Sequence, residues 1–176
     1  IKMSAIKSLW AHGHNTCAGK ADGSVFCWGM NHYGQINNGK FKANYTGGLA
    51  YEGTPSATLA LKGTLSMVGH YWHKCSLFAG GVAKCWGALA HGAVGNGMIS
   101  QAEAKSPLAV KLKSPVIELG GGGYSSTNAS GGHSCAKVQS GAIYCWGNNA
   151  FGQLGNGSKT STGVPTLVKD WKASGP

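Results

Sequence analysis

The stretch "CAGKADGSVFCWG", residues 17–29, sets two cysteines around an Asp-Gly pair and ends in Trp-Gly. The same frame returns as "CSLFAGGVAKCWG" (75–87) and "CAKVQSGAIYCWG" (135–147). If Ala21-Asp22-Gly23 is a three-residue hairpin loop, Lys20 faces Ser24, Ala18 faces Phe26 and Cys17 faces Cys27. Such loops end on a residue in the left-handed conformation, which favours glycine. Gly23, Gly81 and Gly141 all hold that third position, so Cys75 faces Cys85 and Cys135 faces Cys145. Counted outward from the turn, each pair falls at a non-hydrogen-bonded site, where Cβ atoms lie closest.

Three chemistries compete for these cysteines: a disulfide, a free buried thiol and a metal ligand. Zinc ligand pairs sit two to four residues apart and come in fours. His73 and His133 stand two places before a cysteine, but the first repeat has Asn15 there. A thioredoxin-like site needs Cys-x-x-Cys, which is missing. The register favours three cross-strand disulfides, each adding about 2–3 kcal/mol on the chain-entropy account and pinning strand register. Three disulfides imply an oxidising compartment, hence a secreted or cell-surface protein. Asn44, Asn128 and Asn156 each begin an Asn-x-Ser/Thr glycan acceptor.

Cys17 and Cys75 are 58 residues apart, and Cys75 and Cys135 are 60. Each repeat continues into a second glycine-rich stretch: "MNHYGQINNG" (30–39), "ALAHGAVGNG" (88–97) and "NNAFGQLGNG" (148–157). A proline then opens a short apolar run, near Pro55, Pro107 and Pro165. Short apolar runs between Gly, Asn and Pro turns read as about four strands per repeat, and no stretch carries a helical period. Units of that size with four strands are β-propeller blades. The expectation is an all-β chain of four-stranded antiparallel blades forming one propeller region over 1–176. Repeats fall at about 12–68, 69–131 and 132–176, with 1–11 completing a shared blade. Propellers close with about four to eight blades, so three make half of a six-bladed ring built by two chains, or part of a larger propeller. The stretch "GGGGYSSTNASGG" (120–132) reads as an insertion forming a surface loop.

Composition narrows the function classes. The 176 residues include 30 glycines, and the formal net charge is +10. Every cation is a lysine, and the lysines are scattered rather than clustered. Arginine is the residue that best reads phosphate and guanine, so its absence argues against nucleic acid as a partner. No run of 18 apolar residues exists to span a membrane. The start "IKMSAIKSLW" is too short and mixed for a signal peptide, so an exported chain has already lost its signal. Asp22, Glu52, Glu103, Glu118 and Asp170 are the only acids, and none sits in a catalytic motif. There is no phosphate loop and no nucleophile elbow. A non-enzyme without a cofactor or metal is expected.

With these residues in hand, the chain resembles the regulator of chromosome condensation repeat family. That family's pattern runs His-(Ser/Thr)-Cys-Ala, Asp-Gly, a short strand, Trp-Gly-x-Asn and Gly-Gln-Leu-Gly-x-Gly. The third repeat, "HSCAKVQSGAIYCWGNNAFGQLGNG" (133–157), matches best, and the first has "GQINNG" for its last element. In the second, Ala90 stands for the usual asparagine and "GAVGNG" lacks the glutamine. The paired cysteines look like the secreted bacterial branch. The resemblance implies a ring of blades, often seven, used as an interaction surface. Known members include a nucleotide exchange factor for a nuclear GTPase and an extracellular inhibitor of β-lactamases.

Recurring aromatic residues are weighed between packing and contact. Trp28, Trp86 and Trp146 follow the second cysteine of each pair and are expected to pack between blades. Tyr33, His91 and Phe151 precede the glycine of the second motif and are candidates for packing or for a loop face. Trp10, Trp72 and Trp171 vary more between repeats and are the better candidates for a partner, since aromatic residues dominate binding hot spots. The functional expectation is an extracellular scaffold that binds a macromolecule, most simply a protein, through loops on one face. Two alternatives remain. One is a lectin with repeated Trp- and Asn-lined pockets between blades; the other is a self-assembling coat or filament protein, a homo-oligomer.

Overall fold

The computed structural model describes residues 4–40, 50–124 and 131–170. Twelve strands form three separate four-stranded antiparallel sheets, each built from consecutive strands. The first holds β1 (Ile6–His12), β2 (Asn15–Lys20), β3 (Val25–Met30) and β4 (Tyr51–Ala57). The second holds β5 (Ser66–Gly69), β6 (His73–Phe78), β7 (Val82–Ala88) and β8 (Glu103–Ala109). The third holds β9 (Val116–Tyr124), β10 (Gly131–Val138), β11 (Ile143–Gly147) and β12 (Thr162–Leu167). The sheets succeed one another as propeller blades, with β5 packed against both β1 and β9.

The hairpin register is the one the turn glycines dictate. Lys20 N–H donates to the Ser24 carbonyl at 2.9 Å, and Gly23 turns the chain at φ +81°. Cys17 then lies opposite Cys27, Cys75 opposite Cys85 and Cys135 opposite Cys145. All three pairs are disulfides, with Cα atoms 4.0–4.1 Å apart. That spacing belongs to the close, non-hydrogen-bonded positions of an antiparallel ladder. The staples sit in the apolar core, where Cys17, Cys27, Cys75 and Cys85 are fully buried beside Leu61, Val94 and Val138.

In every sheet the single tryptophan between cysteine and glycine on the third strand stands opposite three residues of the fourth, the last of them Pro55, Pro107 or Pro165. The extra residues bulge the fourth strand and leave the tryptophan out of the ladder. The glycine after the tryptophan lets the third strand pass close to its neighbour. Gly29, Gly87 and Gly147 have φ between +100° and +107°. A Cβ there would strike the carbonyl of His14, Trp72 or Gly132 on the neighbouring strand. Cys-Trp-Gly is therefore one device: staple, outward tryptophan, and the glycine that lets the strands close up.

Four expectations change. The sheets occupy 6–57, 66–109 and 116–167, one strand earlier than the repeat boundaries. Residues 6–12 form β1 and pair with β2 as the outer strand of the first sheet, and the third sheet already has its four strands from 116–167 (residues 171–176 lie outside the described residues). The glycine-rich stretch is not simply a loop: 120–124 end β9 and 131–132 begin β10, paired directly (125–130 lie outside the described residues). Finally, the shared register of Gly29, Gly87 and Gly147 aligns Leu89, not Ala90, with Asn31 and Asn149.

Candidate interaction face and the joints between blades

The two internal joints are built alike. Trp86 of the second sheet reaches back to the loop after β3 and donates its indole N–H to the Gln35 carbonyl at 3.0 Å. Trp146 of the third sheet does the same to Ala93, the equivalent position after β7, also at 3.0 Å. Both indoles are completely buried. The loops after β3, β7 and β11 are shaped by asparagine or glycine. Asn31 Oδ1 accepts from Ile36 N–H and Asn149 Oδ1 from Leu154 N–H, each at 3.0 Å. Gly95 lies directly under the Trp146 indole, where a Cβ would come within 2.6 Å of Nε1. Gln35 adds a second tie, donating from Nε2 to the Tyr71 carbonyl of the next sheet at 2.8 Å.

At the end of the sheets where β1 meets β2, β3 leaves for β4 and β5 meets β6, aromatic and imidazole rings converge. Tyr33 packs on Trp72 with centroids 5.3 Å apart. His14 meets Tyr71 edge-on at 4.5 Å, His70 meets Tyr71 at 5.3 Å, and His32 meets Tyr33 at 5.1 Å. Tyr33 and His70 are buried, Tyr71 and Trp72 are partly exposed, and His14 is exposed. Three loops from two blades thus share one ring cluster with an open edge.

Beneath that cluster lies buried polar chemistry. His73 Nε2 and Ser134 Oγ share a hydrogen bond of 2.8 Å across the joint between the second and third sheets. Complete burial, reinforced by His70, Lys74 and His133, pushes the His73 pKa down to about 3. Burial, with Lys74 nearby, takes His12 down to about 4, and burial lowers His133. Lys74 is fully buried, its Nζ has no hydrogen-bond partner among the described residues, and desolvation drops its pKa to about 7. The glycine-rich strands make room for these rings: a Cβ on Gly132 would strike His73, and one on Gly123 would strike His70. Among the described residues no three His, Cys, Asp or Glu side chains gather as ligands for an ion.

The residues singled out from sequence separate accordingly. Tyr33 and Trp72 come together in the ring cluster. His91, at φ +57°, is half-buried beside Gly92, which packs on the Gly163 backbone of the third sheet. Phe151 is 87% exposed. Trp10 faces Cys17 across the first hairpin, lies over Gly19 and packs against the core, away from the ring cluster. Trp171 lies outside the described residues, as do Asn44 and Asn128. Asn156 is tied into its loop, donating to Thr166 and accepting from Ser158 N–H. Sequence reasoning missed His14, His70 and Tyr71, having weighed His14 and His70 only as metal ligands. It also missed Lys74, whose signal was its position, held by Thr16 and Ser134 in the other repeats.

Comparison with known proteins places this geometry. Models of the "Regulator of chromosome condensation (RCC1) repeat" match residues 140–173, and residues 12–35 and 125–153. Probable E3 ubiquitin-protein ligase HERC4 of Rattus norvegicus is 33% identical over 105 residues, 58% of this chain and 9% of that protein. Ultraviolet-B receptor UVR8 of Arabidopsis thaliana is 28% identical over 165 residues, 93% of this chain and 34% of that protein. The chain thus spans about a third of one such relative and a tenth of the other. Among solved structures, Prp20p of Saccharomyces cerevisiae, studied for its binding to Gsp1p and histones, superposes with a TM-score of 0.75 at 19% identity, covering 94% of this chain and 39% of that one. Human WBSCR16 superposes at 0.70 with 15% identity, covering 95% and 39%.

Proposed function

This chain belongs to the regulator of chromosome condensation repeat family, and we propose that it is a non-enzymatic, exported β-propeller scaffold that binds another protein through the loops at one end of its blades. The observation that carries this reading is the ring cluster of His14, Tyr33, His70, Tyr71 and Trp72. Aromatic side chains give large contact area at low entropic cost and dominate protein hot spots. Here they are held by a stapled scaffold, so little ordering remains to be done on binding. That Prp20p binds Gsp1p and histones supports a protein as the partner class. Three disulfides support an oxidising compartment. No described helix is long and apolar enough to cross a membrane.

The lectin alternative loses its expected pockets. Trp86 and Trp146 are fully enclosed in joints, and Asn31 and Asn149 are spent inside their loops. The ligase activity in the name of HERC4 is not carried over, because the matched stretch is 9% of that protein. The test is a photo-crosslinking residue at Tyr71, compared with one at exposed Val82 at the opposite end, in extracellular protein from the native source. A discrete partner captured from position 71, and reduced at least about tenfold by Tyr71→Ala with Trp72→Ala, is expected. Equal capture from position 82, or saccharide binding unaffected by the double variant, overturns the reading.

A further inference from the structure

The lysines scattered along the sequence are gathered by the topology. In sheets of consecutive antiparallel strands every second connection lies at the same end. The hairpins after β2, β6 and β10 and the crossovers after β4 and β8 therefore share the end opposite the ring cluster. They form one continuous surface. Gly63 N–H donates to the Gly23 carbonyl at 2.9 Å, Leu65 N–H to that of Leu77 at 2.8 Å, and Gln139 N–H to that of Pro115 at 3.1 Å. Gly81 lies so close to the same proline that a Cβ would stand 2.6 Å from its ring. The centre of this surface belongs to the second sheet and to the crossovers that enter and leave it, with a blade on either side.

Two kinds of side chain stand out from it. Leu59, Leu65 and Val82 are 90%, 61% and 43% exposed. Leu59 is carried on a 3₁₀ turn that Thr58 ties down, its Oγ1 donating to the Val25 carbonyl at 2.9 Å. Among them Lys62, Lys111 and Lys113 are exposed, and Lys84 holds its ammonium 5.5 Å over the Phe78 ring. No described acid bridges any of these four lysines. The acids at this end each have a lysine of their own: Asp22 lies 3.7 Å from Lys20, Glu118 stands opposite Lys137, and Asp170 follows Lys169. Glu52 and Glu103 stand at the starts of β4 and β8, at the other end.

This composition selects the class of partner. Protein hot spots favour Trp, Tyr and Arg and leave Leu and Val under-represented, and lysine is depleted at interface cores. Among the described residues no exposed aromatic ring lies at this end. A hydrated polyanion would pair with the lysines but gain nothing from three projecting aliphatic side chains. An anionic bilayer uses both: its headgroup–acyl boundary takes up the aliphatic side chains, and its negative surface potential attracts the lysines. We propose that this hairpin end docks on an anionic lipid bilayer, with Leu59, Leu65 and Val82 entering the interface and Lys62, Lys84, Lys111 and Lys113 set against the headgroups. The ring cluster then faces away from the membrane, and the proposal does not depend on what that cluster binds.

Co-sedimentation with vesicles tests it, comparing equimolar phosphatidylcholine and phosphatidylglycerol with phosphatidylcholine alone. The protein should partition at least about tenfold more strongly onto the anionic vesicles and be released as salt rises. Lys62→Ser with Lys113→Ser should weaken binding at least about tenfold, and Leu59→Ser with Leu65→Ser at least about fivefold. All four residues are exposed, so these variants keep the fold, and melting curves check each one. Tyr71→Ala with Trp72→Ala should leave lipid binding unchanged. Equal partition onto both kinds of vesicle, or none onto either, overturns the proposal. So does binding that the leucine pair does not alter, which would mark a purely electrostatic surface for a polyanion.

Discussion

Lys74 occupies a place where the other blades carry Thr16 and Ser134. Its aliphatic stem fits the packed joint, but its ammonium is enclosed with no hydrogen-bond partner among the described residues. A lysine whose folded pKa is about 7 binds fewer protons in the folded state than in the unfolded one between pH 7 and its ordinary 10.5. Stability therefore rises with pH across that window, and the gain is lost as pH falls back to 7. Lys74→Met keeps the stem and removes the charge. Denaturation midpoints of the variant should lose this slope between pH 7 and 10.5 and exceed the parent's most at pH 7. An unchanged slope would show that Lys74 is not desolvated. The sequence did not announce this burial, because lysine is ordinarily a surface residue, and only comparison of the repeats marks the position as internal. The cysteines were the opposite case. A turn glycine at a fixed count from each pair determines which atoms face each other, so local geometry alone decided the disulfides.

At the scale of an element, the Cys-Trp-Gly segment explains why blades of this chain cohere. The staple fixes β2 to β3, the fourth strand bulges away opposite the tryptophan, and the preceding blade offers a carbonyl in a glycine-lined notch. Trp86 and Trp146 enter the joints between blades, and the carbonyls they reach could not be read from the sequence. A bulge depends on β4, β8 or β12 pairing from far along the chain. The glycine-rich 120–132 stretch misled for a related reason. Glycine there reports imidazoles approaching from another strand, a tertiary cause invisible to local turn rules. Gly95 tests the notch directly. Gly95→Ala carries the cost of a left-handed φ of +70° and a Cβ 2.6 Å from the indole nitrogen. Together these amount to about 2–4 kcal/mol. Gly80→Ala has a similar φ of +74° but open space around it, so it should cost only about 1 kcal/mol. Equal losses in chemical denaturation would mean that the indole does not occupy the notch.

For the whole molecule, the repeat, the all-β class and the strand count per blade were legible because the same cues recur three times in order. The phase of the sheets was not, since it depends on which flanking strand wins the edge of each sheet. Nor was the ring cluster, whose members come from loops of two blades and only meet once the blades are joined. The account rests on three autonomous staples, one per blade. In each hairpin a lysine separates the paired cysteines: Lys20, Lys84 and Lys137. Tryptic digestion without reduction, followed by mass spectrometry, should therefore yield three linked peptide pairs: 8–20 with 21–40, 75–84 with 85–105, and 114–137 with 138–159. Free thiols at these positions, or cysteines linked between different hairpins, would contradict it.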